Sequence, residues 1–234
     1  MRAEEQARQA AQSARYRLGS PGGRVDVFRA IRTLGIRLLR FPFAEESSLE
    51  GAYRKRLGIP YIFVNSARWP RRQRFTAAHE LGHHFLGIDR DFDHVDMSPS
   101  GSAQYDRPAD WFAAHFLIDE SSLASLLRSE HDPLRKALLA MQEYDVSLPA
   151  VAIHLADLGE ISPDDKQQIL TAVRDPSTTL QDIAAGAGVS LTREPRPDNT
   201  RELGDDYLAA LSEIRGLGYL SDERFSEMAN LQFA

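Results

Sequence analysis

The chain has 234 residues, 42% of them hydrophobic, no cysteine, and a formal net charge of -6 at pH 7. The lack of cysteine excludes disulfides and thiolate metal ligands, and the negative charge disfavours nucleic-acid binding over a large surface. No stretch approaches the ~20 apolar residues of a membrane span, and the N-terminus lacks the apolar core of a signal peptide. We therefore expect a soluble, cytoplasmic protein.

Two helix patterns and then three strand patterns occupy the N-terminal part of the chain. Residues 3–17 are rich in Ala, Glu, Gln and Arg and predict a helix that packs lightly, because its apolar positions are mostly alanine. A second helix pattern covers about 25–34, with apolar residues three apart. Strand patterns follow at three places, which are 36–43, 53–57 and 59–64.

The run 73–87 contains the metal-binding signature H-E-x-x-H in a segment with extensive apolar surface, which predicts a packed helix. Residues four apart lie on one helix face, so the imidazoles of His79 and His83 can bind a single Zn²⁺. Glu80 lies beside that face, where its carboxylate could take a proton from a water molecule on the metal. Charges on a solvated helix are the alternative, but the apolar surroundings and Gly82, which allows close approach, argue against it.

A catalytic zinc usually has three protein ligands and one position for water. Asp106 and Asp110 lie one turn apart in a second predicted helix, where one carboxylate can coordinate while the other accepts a hydrogen bond from a ligating histidine. Pro108 fits near a helix start, which places Asp106 at the N-terminal end of that helix. We predict Asp106 as third ligand and Asp110 as orienting residue. N-capping by Asp106 is the alternative, and the choice between the two carboxylates as ligand stays open.

These stretches carry a resemblance to a known family. They are R-Q-R-F-T-A-A-H-E-L-G-H-H at 72–84, the strand at 58–65 before it, D-R-P-A-D-W-F-A-A-H-F-L at 106–117 and the helix pattern at 146–159. Over roughly residues 10–160 the chain resembles the ImmA/IrrE family of zinc metallopeptidases. That family typically has a glutamate ligand, then alanine and asparagine three and four residues on. Asp106, Ala109 and Asp110 occupy those positions here, so the shorter Asp106 is a departure.

The resemblance implies an α+β fold, with a small mixed sheet packed on the H-E-x-x-H zinc helix and a second ligand helix, followed by a mainly helical C-terminal part. In that family a strand lies beside the zinc helix, and a peptide substrate can add to such an edge. We therefore expect 59–64 to bind substrate through Ile62 and Val64. The implied activity is that of a zinc endopeptidase that regulates transcription, as in a stress response, by a limited cut in a repressor or antitoxin.

Seven basic residues and no acidic one lie between Gly51 and His79. A solvated face is the ordinary explanation of such a run. The functional alternative is a basic rim, including Arg71 and Arg72, that attracts an acidic segment of a substrate protein. The segment 88–104 between the ligand helices is either a lid or a plain loop.

The C-terminal part has helix patterns at 120–129, 133–144, 149–158, 163–174 and 178–185. We divide the chain into a metallopeptidase domain at 1–160, a helical extension at 161–191, a linker at 192–203 and a helical hairpin at 204–234. The hairpin is too small to be stable alone. Its pattern resembles that of short C-terminal helical hairpins that mediate oligomerisation, which implies a homo-oligomer, and docking on the catalytic domain is the alternative.

Other functions have to be weighed against the peptidase. The main rival is a non-catalytic, zinc-stabilised regulatory protein that acts through protein contacts. A DNA-binding regulator is a third option, since 149–158 could be a recognition helix, but it offers few base-contacting side chains. Mn²⁺ could replace Zn²⁺. His84 and His115 point away from the predicted metal and are expected to be structural.

Overall fold

The computed structural model describes residues 3–20, 22–43, 49–56, 58–88, 99–197 and 199–202, and single positions from 204 to 226. Nine helices and one three-stranded mixed sheet occupy these residues, which confirms the predicted α+β class. None of the described helices is long and apolar enough to cross a membrane.

The elements follow one another in the predicted order. The helices are α1 Ala3–Arg17, α2 Val27–Thr33, α3 Pro70–Leu86, α4 Pro99–Leu117, α5 Glu120–Leu127, α6 Pro133–Tyr144, α7 Leu148–Asp157, α8 Pro163–Arg174 and α9 Leu180–Gly186. The strands are β1 Arg37–Phe41, β2 Gly51–Arg56 and β3 Ile59–Asn65. The sheet has the order β1-β3-β2, with β1 parallel and β2 antiparallel to β3.

The central strand of the sheet is β3. Ile62 pairs with Leu38 of β1 on one side and with Tyr53 of β2 on the other, and the side chains of Ile62 and Val64 are fully buried. The prediction that this strand is a free edge for substrate is therefore wrong, because both of its sides are already paired. No strand among the described residues pairs with the outer side of β2, which lies beside α3. We call this side, unpaired within the described part of the chain, the open edge of the sheet.

Alanines bring α1 into close contact with α4. Ala7, Ala11 and Ala14 are fully buried, because small side chains on one helix face let two helix backbones approach closely. Arg15 is also buried, and its guanidinium donates a hydrogen bond of 2.6 Å to the carbonyl oxygen of Phe116 in α4. The prediction that this helix packs only lightly is therefore wrong.

The second ligand helix begins earlier than predicted. It extends from Pro99 to Leu117 and contains Pro108 in its interior. The prediction that Asp106 lies at its N-terminal end is wrong, which also removes N-capping as a role for Asp106. An interior proline costs a helix one hydrogen bond, but the packing of the turns that follow, with Ala109, Phe112 and Ala113 fully buried, favours a continuous helix. Residues 99–104 are helical, and residues 89–98 of the predicted lid lie outside the described residues.

The segment after α9 is docked on the N-terminal part of the chain. The backbone N–H of Arg71 donates to Oε1 of Glu194 at 2.8 Å, and Glu202 forms an antiparallel backbone bridge with Arg40 of β1. The segment predicted as a linker therefore makes specific contacts. The domain boundaries stay a prediction, and most of the predicted hairpin at 204–234 lies outside the described residues.

A pair of buried histidines joins α4 to α7. The rings of His115 and His154 pack edge to face with their centroids 4.9 Å apart, and His154 is only 2% exposed. Burial, reinforced by the neighbouring His115, lowers the pKa of His154 to about 3. The folded protein therefore holds this imidazole in its neutral form over most of the acidic range.

This pKa makes folding stability depend on pH. In the unfolded chain His154 binds a proton below about pH 6.5, whereas the folded chain resists that protonation down to about pH 3. The free energy of unfolding should therefore fall as the pH is lowered through this window, by up to about 1.4 kcal/mol per pH unit from this residue. In His154→Leu, denaturant unfolding at several pH values should show a correspondingly shallower dependence. His131→Leu, at an exposed position, should keep the wild-type dependence, and identical slopes in wild type and His154→Leu would contradict this explanation.

Candidate metal centre

The helix α3 brings its two histidines together. It begins at Pro70, which fits a first helical position, and ends before Gly87, whose φ of 68° suits a residue without a side chain. His79 and His83 are four residues apart, so their rings lie on one face, and their Nε2 atoms are 3.1 Å apart. Two ring nitrogens facing each other at this distance form one side of a metal site.

Asp106 on α4 completes a triangle of donor atoms. Its Oδ1 lies 4.0 Å from Nε2 of His79 and 3.8 Å from Nε2 of His83. A tetrahedral zinc site with bonds of about 2.0–2.2 Å separates its ligand atoms by roughly 3.3–3.6 Å. The three separations bracket that range, and these are the residues among those described that could hold a metal ion. The shorter Asp106 therefore comes within 3.8–4.0 Å of both ring nitrogens from the second ligand helix.

Asp110 orients the first histidine. Its Oδ1 lies 2.8 Å from Nδ1 of His79, which assigns the proton of a neutral ring to Nδ1 and leaves the Nε2 lone pair directed toward His83 and Asp106. Burial lowers the pKa of His79, but the carboxylates of Asp110, Glu80 and Asp106 together outweigh it, so the pKa lies above its ordinary value. The structure thus gives Asp106 and Asp110 different positions, with Asp106 on the metal side of the ring.

A glycine sets the distance between the two ligand helices. A Cβ atom at Gly82 would lie 3.1 Å from the Cα atom of Ala109 and 3.1 Å from two carbons of Phe112. A side chain at this position would therefore press against the backbone of α4, which carries Asp106 one turn earlier. The missing side chain lets α4 lie close enough for Asp106 to face the two histidines.

A second glycine brings the open strand against Glu80. Glu80 is the residue after His79 on α3, and its side chain is mostly buried. A Cβ atom at Gly51, the first residue of β2, would lie 2.4 Å from the Thr76 methyl carbon, 2.8 Å from the Phe63 carbonyl oxygen and 3.2 Å from Oε1 of Glu80. Only glycine fits here without displacement of its neighbours, so the backbone of β2 lies directly beside the candidate catalytic carboxylate.

The predicted basic rim divides into buried and exposed members. The side chain of Arg71 is 8% exposed, and its Nε lies 3.1 Å from Oδ1 of Asp145. Its Nη1 lies 3.7 Å from Oε2 of Glu194. The prediction that Arg71 belongs to an exposed rim is therefore wrong, because carboxylates distant in sequence pair with it. Arg72 is 62% exposed and pairs with Glu50 at 2.8 Å, and its role toward a substrate stays a prediction.

His84 and His115 have contacts outside the three donor atoms. His84 accepts or donates a 3.0 Å hydrogen bond with the Tyr53 hydroxyl of β2, and burial, with Lys55 and Arg17, lowers its pKa. His115 has its Nδ1 3.0 Å from Oε1 of Glu120. Both contacts join secondary-structure elements, which agrees with the structural roles expected for them.

The sequence reasoning missed two features of this region. The predicted strand at 53–57 leaves Gly51 outside it, although a glycine beside a strand pattern can mark close approach of another backbone. The pairing of Asp145 and Glu194 with Arg71 gave no local signal, because these residues lie 74 and 123 positions away. Long-range pairing of this kind becomes visible only in the fold.

The helix with H-E-x-x-H, the neighbouring carboxylate and the adjoining small sheet are typical of a metallopeptidase. A family model described as the IrrE N-terminal-like domain matches residues 31–156, more than half of the chain. The chain therefore belongs to the ImmA/IrrE family of metallopeptidases. A search of curated proteins finds no match.

Enlarging Gly82 tests the contact between the ligand helices. Gly82→Ala should push α4 and Asp106 away from the histidines and weaken Zn²⁺ binding roughly tenfold, measured by competition with a chromophoric chelator. Gly186→Ala is the matched control, because no atom lies within 4 Å of a Cβ atom there. Wild-type zinc affinity in Gly82→Ala would show that the close contact does not position Asp106.

Two Asp110 variants distinguish the contribution of its hydrogen bond to Zn²⁺ affinity from that of its negative charge. Asp110→Ala removes the acceptor for His79 Nδ1 and should lower Zn²⁺ affinity about 10–100-fold. Asp110→Asn keeps an oxygen acceptor and should retain most of the affinity, whereas the exposed control Asp157→Ala should match wild type. The same chelator competition measures all three, and equal losses in the Ala and Asn variants would show that the negative charge, rather than orientation, is what matters.

Proposed function

We propose that the protein is a zinc-dependent endopeptidase that makes a limited cut in a regulatory partner protein, of the repressor or antitoxin type. The observation that carries this proposal is the environment of the buried Glu80. Its charge acts on His79, whose Nε2 lies within about 4 Å of the donor atoms of His83 and Asp106. Its Oε1 lies beside Gly51 at the start of the open strand β2.

The donor set fits zinc. Two imidazoles and a carboxylate are ligands that zinc accepts in catalytic sites, and Mn²⁺ would accept the carboxylate and imidazoles as well. His79, with its Nδ1 proton directed at Asp110, presents an unprotonated Nε2 to the ion. A bound metal ion would supply Lewis acidity, which polarises a peptide carbonyl group and makes water more acidic.

Glu80 is the general base and later the general acid in this proposal. Its carboxylate would accept a proton from the attacking water and deliver it to the nitrogen of the leaving amine. Asp110 takes no proton in this scheme, since its oxygen fixes the ring of His79 through the hydrogen bond to Nδ1.

The open edge of β2 replaces β3 as the proposed site of substrate alignment. Asn65 N–H donates to the Glu50 carbonyl oxygen at 2.8 Å, and antiparallel strands alternate between bonded and non-bonded pairs. The backbone N–H and C=O groups of Gly51 and Lys55 are therefore directed away from β3. A substrate peptide in an extended conformation would bond to these groups and continue the sheet past Glu80.

Membership of the ImmA/IrrE family supports a regulatory substrate. The resemblance to this family implies substrates that are repressors or antitoxins and lose function after one cut. A homo-oligomer formed through 204–234 remains part of the proposal. We expect the working location to be the cytoplasm, where such partner proteins occur.

The substitution Glu80→Gln separates a peptidase from the rival binding protein. The variant should keep its Zn²⁺, because Glu80 is outside the donor triangle, but should cleave about 10²–10⁴-fold more slowly. Zinc content is measured by mass spectrometry of the metal, and cleavage by comparing new protein N-termini in cells that carry the wild-type or the Glu80→Gln chain.

Glu143→Gln, an exposed change on α6, is the matched control and should cleave like wild type. Identical sets of protein N-termini in wild-type and Glu80→Gln cells, with zinc bound in both, would favour the non-catalytic regulatory protein over the peptidase.

A further inference from the structure

Three exposed side chains come from two neighbouring places, the residues before β2 and the first turn of α3. Leu49 is 52% and Trp69 50% exposed, and the side chain of Arg72 is 62% exposed. Glu50, which follows Leu49, pairs with Nε of Arg72 at 2.8 Å, and Trp69 lies one helical turn before Arg72, with its carbonyl oxygen accepting from the Arg72 N–H. Exposed large apolar side chains beside a cation are typical of binding surfaces. We call Leu49, Trp69 and Arg72 the flanking patch.

The flanking patch lies on the path of a peptide aligned with β2. Leu49 precedes Gly51 by two residues, and Gly51 lies against Glu80. Arg72 precedes Glu80 by about two helical turns, or roughly 12 Å. An extended peptide covers about 3.3 Å per residue. Substrate residues about two to four positions from the cut bond would therefore reach the flanking patch.

The charge of this region favours an acidic partner. The buried guanidinium groups of Arg71 and Arg74 are engaged by Asp145, so they do not contribute to the surface. At the surface, the side chain of Arg72 is 62% exposed although its Nε pairs with Glu50 at 2.8 Å. A substrate carboxylate at Arg72 would be a second acceptor for this exposed guanidinium group.

We infer that the flanking patch is a specificity site that binds a substrate segment in which a large apolar residue and an acidic residue lie near each other. The apolar side chain packs against Leu49 and Trp69, and the carboxylate pairs with Arg72. This inference rests on the proposed function, since it concerns the substrate of the same site. It places the preference on one side of the cut bond, about two to four residues away.

The test uses a peptide library made by digesting a cell lysate with a site-specific protease and blocking the amines. The zinc-loaded full chain cuts this library, and mass spectrometry gives the residues on both sides of each new end. Trp69→Ala and Arg72→Glu are compared with two controls at exposed positions far along the chain, Tyr16→Ala and Arg174→Glu. Thermal unfolding confirms that all variants are folded.

Wild type and both controls should prefer apolar and acidic residues at the stated positions. Trp69→Ala should raise KM for apolar-bearing peptides roughly tenfold, with kcat little changed. Arg72→Glu should raise KM for acidic peptides about two- to fivefold at low salt and should prefer the matched peptides with lysine in place of the acidic residue. A charge swap of this kind would not arise from general destabilisation.

Two results overturn the inference in different ways. Cleavage of the library with no preference at these positions, or with the same preference in all variants, contradicts the flanking patch and leaves the peptidase intact. A zinc-loaded wild-type chain that cuts no peptide contradicts the proposed function, and the inference falls with it.

Discussion

The contact between α3 and α4 at Gly82 is the constraint on which the site depends. The two histidines are placed by helix periodicity alone, but the third donor atom comes from another helix and must arrive within about 4 Å. Gly82 allows this because its missing side chain admits the backbone of Ala109 and the ring of Phe112. The fully buried Ala109, Phe112 and Ala113 then hold α4 in place through the packing of an apolar face.

Local patterns predicted much of this arrangement. Three features depend on residues close in sequence and could therefore be predicted from it. They are the signature around His79 and His83, the one-turn spacing of Asp106 and Asp110, and most helix ends. The start of α4 could not be predicted in this way, because a proline usually lies in the first turn of a helix. Pro108 is tolerated inside α4 because the turns that follow it are packed. The central position of β3 in the sheet depends on its pairing with β1 and β2, which the residues of β3 alone do not predict.

The positions of the basic residues before His79 also depend on contacts that are distant in sequence. The basic run before His79 looks uniform in the sequence, yet the fold separates its members. Arg71 and Arg74 are turned inward to Asp145, whereas Arg72 stays at the surface. Buried guanidinium groups require carboxylate or carbonyl partners, and here Asp145 and Glu194 come from later parts of the chain. The segment after α9 thereby becomes part of the support for the metal helix.

The central claim is that one divalent metal ion is bound by His79, His83 and Asp106 together. Anomalous diffraction at the zinc absorption edge, from crystals of the zinc-loaded full chain, tests it most directly. We expect one anomalous peak at about 2.0–2.2 Å from Nε2 of both histidines and from a carboxylate oxygen of Asp106, with Asp110 bonded only to the His79 ring. A peak ligated by Asp110 in place of Asp106, or one that lacks either histidine, would contradict the assignment.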